Sequence, residues 1–134
     1  MARELRLQPG AAGWQVSNAP VLSMAALHAS LDLFARATMP ALRKKSVALT
    51  GYLLALVDDL GVPVITPRDP DARGAQLSLR IPNADAVAKR LLARGVYVDE
   101  RKPDVIRVAP APLYNSHEDA WRFAEVLRAT LGAP

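Results

Sequence analysis

The apolar residues near the start of the chain recur with the spacing of a helix. Met24, Leu27, Leu31 and Phe34 are separated by three and four positions, so one helical face collects all four side chains. The spacing predicts a first helix from about Val21 to Phe34.

A second and longer helix is predicted directly after the first. Thr38 can cap its start, and Pro40 falls in the first turn, where a missing N–H costs nothing. Gly61 followed by Pro63 ends the helix. Its predicted apolar stripe consists of Leu42, Leu49, Leu53, Leu56, Val57 and Leu60.

The pattern then changes to the two-residue period of strands. Val62 to Thr66 is a short apolar run, and QLSLRI, residues 76–81, alternates polar and apolar side chains. Two further strands are predicted at Val96 to Val98 and at Val105 to Val108, joined by the polar turn DERKPD.

Two more helices complete the pattern. Asn83 can cap the first of them, which closes at Gly95. Ser116 and Asp119 form an S-x-x-D capping box ahead of the second. The apolar face of this last helix is predicted to hold Ala120, Phe123, Ala124, Leu127 and Leu131.

The order helix, helix, strand, strand, helix, strand, strand, helix predicts an α+β fold. We expect a small sheet of about three to four strands covered by helices, with a long leading helix. Residues 1–20 are rich in Gly, Ala and Pro and are predicted to be an irregular arm. Residues 21–134 are predicted to form a single α+β domain.

The composition limits the kinds of functional site that this chain can form. The chain has 134 residues, about one domain, with no cysteine and two histidines. Disulfides and thiolate sites are therefore excluded, and a metal site is not expected because His28 and His117 lie far apart in the sequence. The sequence contains neither an apolar stretch long enough to span a membrane nor the apolar segment of a signal peptide. We therefore expect a soluble cytoplasmic protein with no membrane partner.

The formal net charge of +4 invites a nucleic-acid hypothesis. The basic clusters are short, however, and acidic pairs lie between them, so we expect no nucleic-acid partner. We interpret the acidic pairs Asp58-Asp59 and Asp99-Glu100 as solvated, because adjacent residues do not face each other.

The catalytic inventory is small. The sequence has no Gly-rich phosphate loop and no G-x-S-x-G elbow. Its four lysines, residues that could form a Schiff base with a cofactor, are Lys44, Lys45, Lys89 and Lys102. All four lie in charged or polar surroundings, and none is predicted to be desolvated.

Arg107 interrupts the apolar run Val105 to Ala109. A guanidinium keeps its charge, so it needs water, a carboxylate of the protein or a bound anion. Alternation along the strand puts Arg107 on the face opposite Ile106 and Val108, so the strand can pack its core and still present the guanidinium. The residues alone leave the three surroundings open.

Three segments together resemble the C-terminal part of kynureninases, which are fold type I, aminotransferase-like pyridoxal-phosphate enzymes. They are SN-x-P at residues 17–20, ALRKKS-x-x-LTGYL at residues 41–53 and IRVAP-x-PLYNS at residues 106–116. The resemblance runs from about Leu5 to Leu131. Ala19 stands where a proline is usual in the family, and His117 where an aromatic residue is usual.

The resemblance implies a function and a set of site residues. Kynureninases hydrolyse L-kynurenine, or its 3-hydroxy form, to anthranilate or 3-hydroxyanthranilate and L-alanine. Arg107 is implied to bind the α-carboxylate of the substrate, and Asn18, with Ser17 beside it, to contact the aryl-ketone end. These are binding roles, and no catalytic residue is implied in this chain.

The resemblance also implies what this sequence lacks. In the family the Schiff-base lysine and the phosphate-binding residues belong to a large domain that precedes this one, so pyridoxal phosphate is expected in the complete enzyme and not on this chain alone. The expected partners are that large domain or chain and, in the complete enzyme, a second copy. A stand-alone regulatory or interaction module derived from this domain is the alternative hypothesis.

Overall fold

The computed structural model describes residue 6 and residues 8–132. The chain divides into two compact units, Met1–Thr38 and Met39–Pro134. The division of the chain into an arm and a single domain at residue 20 stays a prediction.

The first unit contains a short 3-10 helix, Gly10–Trp14, and helix α1, Val21–Ala37. The first predicted helix is thus confirmed, and it continues one turn beyond Phe34. It ends at Thr38, whose φ is 65° and whose N–H donates to the carbonyl of Phe34 at 2.9 Å. All large apolar side chains of α1 are exposed.

The second unit begins with helix α2, Met39–Asp59, as predicted. Gly61, with a φ of 66°, follows its end, and the N–H of Val62 bonds back to the carbonyl of Val57 at 3.0 Å. A left-handed glycine at this place is a common way to end a helix. The buried face of α2 consists of Leu42, Ser46, Leu49, Thr50, Leu53, Leu54 and Val57.

Three antiparallel strands form the sheet of this unit: β1, Leu77–Arg80; β2, Asp99–Arg101; and β3, Val105–Val108. The strand order is β1-β3-β2, which puts β3 in the centre. Because side chains alternate along a strand, each strand can bury one face. The buried residues of β1 and β3 are Leu77, Leu79, Ile106 and Val108.

Two strand predictions are wrong in position. The predicted strand Val96 to Val98 is not a strand, because Val96 and Val98 pack against the core from a loop and the pairing with β3 begins only at Asp99. The run Val62 to Thr66 makes an isolated bridge between Val64 and Leu79, not a full strand. The apolar character of both segments reflects core packing.

Helices α3, Ala84–Leu92, and α4, His117–Leu131, complete the second unit. The capping box of Ser116 and Asp119 is confirmed. Asn83 precedes α3 with left-handed angles, φ 56° and ψ 42°, and its side chain makes no capping hydrogen bond. The prediction of a side-chain cap at Asn83 is therefore wrong.

The core of the second unit is one cluster drawn from α2, the sheet, α3 and α4. An α+β fold with a three-stranded sheet covered by helices confirms the predicted fold class. None of the described helices is long and apolar enough to cross a membrane. Among the same residues, no group of three or more His, Asp or Glu side chains could hold a metal ion.

Candidate functional site

Arg107 lies in the central strand β3, between two buried neighbours. Ile106 is 0% exposed and Val108 is 6% exposed, whereas the side chain of Arg107 retains 33% of its exposure. The predicted alternation is confirmed: the strand buries Ile106 and Val108 and holds the guanidinium on its opposite face.

A carboxylate of the protein meets this guanidinium. Asp99 stands directly opposite Arg107 across β2 and β3. Its Oδ2 accepts hydrogen bonds from Nε of Arg107 at 2.8 Å and from Nη2. The Arg107 guanidinium, chiefly through this hydrogen bond, holds the pKa of Asp99 below its usual range.

The interpretation of Asp99 and Glu100 as a solvated pair is therefore wrong. Asp99 bonds to Arg107 and, through Oδ1, to Nη1 of Arg101 at 2.8 Å. Glu100 pairs with Ile106 on the other face of the sheet. Its Oε1 is buried and has no hydrogen-bond partner among the described residues.

Asp99 is the site residue that sequence reasoning missed. A signal for it was present: Asp99 and Arg107 each lie four positions from Pro103. A hairpin that turns at Pro103 must pair residues equally distant from the turn. The observed register pairs them in this way.

Further polar and charged groups share the face of the sheet that carries Arg107. Ser78 stands opposite Arg107 on β1, and Arg80 lies two positions further along that strand, with its Nε 3.5 Å from a carboxylate oxygen of Asp104. With Asp99 and Arg101, these residues form a polar surface opposite the core. Arginine predominates there, so the surface suits an anionic group.

Beyond the end of β3 lies a cleft of about 400 Å³. Its apolar lining includes Leu53, Val96, Val108 and Phe123, and its polar lining includes Tyr97, Tyr114, Asn115, Asp119 and Arg122. The Asn115 side chain is already engaged, since its Oδ1 accepts from the N–H of Ala111 at 2.8 Å. Arg107 does not line this cleft.

Ser17 and Asn18 belong to the first unit, and both are exposed. Nε2 of Gln15 donates to the carbonyl oxygen of Ser17 at 3.0 Å, a local bond within the arm. The Ser17 hydroxyl and the Asn18 side-chain amide take no part in this hydrogen bond. Their binding roles stay predictions.

The lysines do not fit a Schiff base to pyridoxal phosphate. Lys44, Lys45, Lys89 and Lys102 are all exposed, whereas an imine-forming lysine needs a desolvated or cationic surrounding that lowers its pKa. Asp85 instead bonds to Nζ of Lys89 at 2.8 Å and raises the pKa of that group. None of the four lysines therefore fits the imine bond to this cofactor.

The two histidines are also exposed. Nδ1 of His28 lies 3.5 Å from a carboxylate oxygen of Asp32 one helical turn away. The ring of His117 meets that of Tyr52 edge-on, with 5.5 Å between the ring centroids. Within the part of the chain that the structure describes, neither histidine is paired with a nucleophile.

Comparisons with known proteins identify relatives over most of this chain. A family model described as "Kynureninase C-terminal domain" matches residues 42–127. The chain is 55% identical over 130 residues to a kynureninase of Coccidioides immitis, covering 89% of this chain and 27% of that protein. It is 53% identical over 128 residues to a kynureninase of Salinispora tropica, covering 90% of this chain and 30% of that protein.

The same partial coverage holds for a kynureninase of Koribacter versatilis. It is 46% identical over 135 residues, with 98% of this chain and 32% of that protein covered. The chain thus spans about a third or less of the length of these relatives.

Solved structures with low sequence identity share the fold. A cysteine desulfurase from Thermococcus onnurineus NA1 matches with a TM-score of 0.81 at 17% identity, covering 96% of this chain and 36% of that one. An alanine–glyoxylate aminotransferase from Nostoc sp. matches with a TM-score of 0.69 at 21% identity, covering 91% and 34%. The predicted fold type I architecture is confirmed.

Proposed function

Because this chain belongs to the kynureninase C-terminal domain family, we propose that it is the substrate-binding part of a kynureninase. The complete enzyme hydrolyses L-kynurenine, or 3-hydroxykynurenine, to anthranilate, or 3-hydroxyanthranilate, and L-alanine. It belongs to tryptophan catabolism and NAD biosynthesis.

The observation that carries the proposal is the partly exposed side chain of Arg107 on a strand whose other face is buried in the core. Its neighbours Ile106 and Val108 are fixed in the core, so the backbone under the guanidinium is held. A planar fork of N–H donors meets a carboxylate with two parallel charge-assisted hydrogen bonds. Arg107 binds and orients the α-carboxylate of the substrate in this way, and such orientation lowers the entropic part of the barrier.

The cofactor chemistry belongs to the part of the relatives that this chain does not match. Pyridoxal phosphate supplies an electron sink when bound, and no described lysine fits it. The large domain therefore holds the cofactor, and this chain holds the substrate carboxylate. Asn18 and Ser17 complete the proposal as contacts to the aryl-ketone end.

Helix α1 supports a partner of this kind. Its charged or ionisable residues His28, Asp32 and Arg36 follow one another at intervals of four, so they share one narrow stripe. Met24, Leu27, Leu31 and Phe34 form an apolar stripe, and each is at least 40% exposed. A helix that is apolar over most of its circumference is typically buried, so we assign this stripe to contact with the large domain.

A stand-alone, non-catalytic module is the second candidate function. It rests on the exposure of all four lysines, which fits a chain without cofactor chemistry as well as a chain completed by a large domain. Both candidates predict an inactive isolated chain, and they differ in what a partner does. Only the kynureninase hypothesis predicts activity after the large domain is added.

The test is reconstitution. The chain is mixed with pyridoxal phosphate and with the segment of the Salinispora tropica kynureninase that lies outside the match, and anthranilate release from L-kynurenine is followed by fluorescence. We expect product from the mixture and none from the chain alone. Product from the chain alone would contradict the division of labour, and an inactive mixture with a bound partner would favour the module.

Arg107→Ala gives the residue-level test. Removing one partner of a charge-assisted pair costs several kcal/mol, so KM should rise on the order of 100-fold. Arg107→Lys should recover only part of the loss, since an ammonium cannot form the planar fork. Arg90→Ala, a change of an exposed helix arginine, serves as the matched control and should leave KM unchanged.

The proposal extends to assembly and compartment. We place the complete enzyme in the cytoplasm as a homodimer, in line with the resemblance and with a chain free of cysteine. Sedimentation of the reconstituted mixture checks the dimer. A mass equal to one large and one small part would contradict it.

A further inference from the structure

Asp99 and Arg107 are matched in both register and side-chain geometry. They face each other as a cross-strand pair, and a single oxygen, Oδ2 of Asp99, accepts from both Nε and Nη2 of Arg107. The carboxylate therefore occupies one edge of the planar guanidinium. The other edge, formed by Nη1 and the second hydrogen of Nη2, makes no hydrogen bond to a described residue.

Asp99 is itself held from its other side. Its Oδ1 accepts from Nη1 of Arg101 at 2.8 Å, so the aspartate lies between two arginines. With one negative and two positive charges, the triad of Asp99, Arg101 and Arg107 keeps a net positive charge. An anion is thus still attracted to the open edge of Arg107.

From this geometry we propose that Asp99 is a positioning residue for Arg107. It holds the guanidinium by the Nε–Nη2 edge, so that the Nη1–Nη2 edge is presented to the α-carboxylate of the amino-acid substrate. The inference rests on the proposed function, in which Arg107 binds that carboxylate.

The physical reason is preorganisation. An arginine side chain has large rotamer freedom, and freezing it during binding costs affinity. A cross-strand carboxylate that fixes the guanidinium beforehand removes part of this cost. It also fixes the plane of the fork, which a bidentate contact requires.

The opposite role is competition, and it predicts the opposite sign. If Asp99 only occupied Arg107 until substrate displaced it, removing its charge would strengthen substrate binding. If Asp99 positions Arg107, removing its charge weakens binding, and removing the acceptor atoms weakens it more. Asp99→Asn removes the charge but keeps one acceptor oxygen. Asp99→Ala removes the charge and both oxygens.

The experiment compares these variants in the reconstituted enzyme. We expect KM for L-kynurenine to rise in the order wild type, Asp99→Asn, Asp99→Ala, by about tenfold for Asp99→Ala, with kcat lowered by misorientation. Asp85→Asn is the matched control, because Asp85 also pairs with a cation, Lys89, but on helix α3 and outside the polar surface of the sheet. Its KM should equal that of the wild type.

A second readout uses the isolated chain and needs no activity. The Arg107 Nε–H resonance should be protected from solvent exchange in the wild type and in Asp85→Asn, and lose its protection in Asp99→Ala. An unprotected wild-type resonance would overturn the inference.

The outcomes separate the inference from the proposed function. A wild-type mixture that is inactive on kynurenine contradicts the proposed function and the inference together. An active wild type in which Asp99→Asn leaves KM unchanged or lowers it overturns the inference alone.

Discussion

Ser116 and Asp119 hold each other at the start of α4. The N–H of Asp119 donates to Oγ of Ser116 at 3.2 Å, and the N–H of Ser116 donates to Oδ2 of Asp119 at 2.8 Å. Each side chain thus satisfies a backbone donor that the first turn would leave unpaired. The pair fixes the point at which the loop after β3 becomes a helix.

Replacing Ser116 with Ala should destabilise the second unit. Loss of an N-cap hydroxyl costs about 1 kcal/mol, which urea denaturation followed by circular dichroism resolves. Ser30→Ala, at an exposed position within α1, is the control and should cause no loss, because alanine is favoured inside a helix. Equal stability of Ser116→Ala and the wild type would show that the capping box does not stabilise the second unit.

Acid should weaken the same cap. The hydrogen bond from the backbone N–H of Ser116, followed by that from its hydroxyl, holds the pKa of Asp119 below its usual value. A carboxyl whose pKa is lower in the folded state contributes stability above its unfolded pKa, and this is lost as pH falls through the folded pKa.

The wild type should therefore be more stable than Asp119→Asn at pH 7, and the difference should shrink between about pH 4 and pH 2. Urea midpoints measured across this range test the sign. Asp71→Asn, at an exposed position, controls for the change in net charge. A difference between wild type and Asp119→Asn that grows on acidification would contradict the prediction.

Neighbouring residues of β3 should respond very differently to truncation. Ile106 is fully buried in the core, so Ile106→Ala should cost about 2–5 kcal/mol through lost burial and a cavity. Val105 lies on the opposite face and is only partly buried, so Val105→Ala should cost less than about 1 kcal/mol. Similar losses for the two variants would show that the alternation along β3 is wrong.

Hydrophobic periodicity predicted α2, α3 and α4 because the core buries one face of each helix. It also predicted α1, although the large apolar side chains of that helix are exposed in the described structure. The same rule misplaced β2: Val96 and Val98 are apolar because they cover the core from a loop, whereas the strand that pairs with β3 is the charged segment Asp99–Arg101. Its position depends on cross-strand pairing, which a local pattern does not contain.

The same distinction holds for the site. Alternation along the strand placed Arg107 opposite the core. The identity of its partner depended on the hairpin register. The equal spacing of Asp99 and Arg107 about Pro103 indicates that register, but the predicted turn DERKPD placed Asp99 in the turn and so missed the pair.

Substitutions at Asn83 test whether this residue stabilises the start of α3 through its backbone conformation or through a side-chain cap. Its left-handed angles, φ 56° and ψ 42°, suit glycine and asparagine, and its side chain makes no capping bond. Asn83→Gly should match or exceed the stability of the wild type. Asn83→Ser, a strong capping residue that disfavours this conformation, should lose about 1 kcal/mol. If urea denaturation shows Asn83→Ser to be more stable than Asn83→Gly, a side-chain cap at this position is supported after all.

In the assembled enzyme, we expect more than one face of helix α1 to be buried against the large-domain segment. Leu27, 48% exposed, belongs to the stripe of Met24, Leu31 and Phe34, whereas Leu33, 54% exposed, lies on a different side of the helix. Burying an unpaired carboxylate is costly, so Leu27→Glu should weaken assembly with the large-domain segment by about tenfold or more.

Leu33→Glu shows whether the second face is also buried in the assembled enzyme, and we expect a loss of similar size. His28→Glu places the same charge on the stripe of His28, Asp32 and Arg36 and should leave assembly intact. Titration of the labelled large-domain segment measures all three dissociation constants. If Leu27→Glu assembles as tightly as His28→Glu, the stripe is not the contact, and the partner must bind elsewhere on the chain.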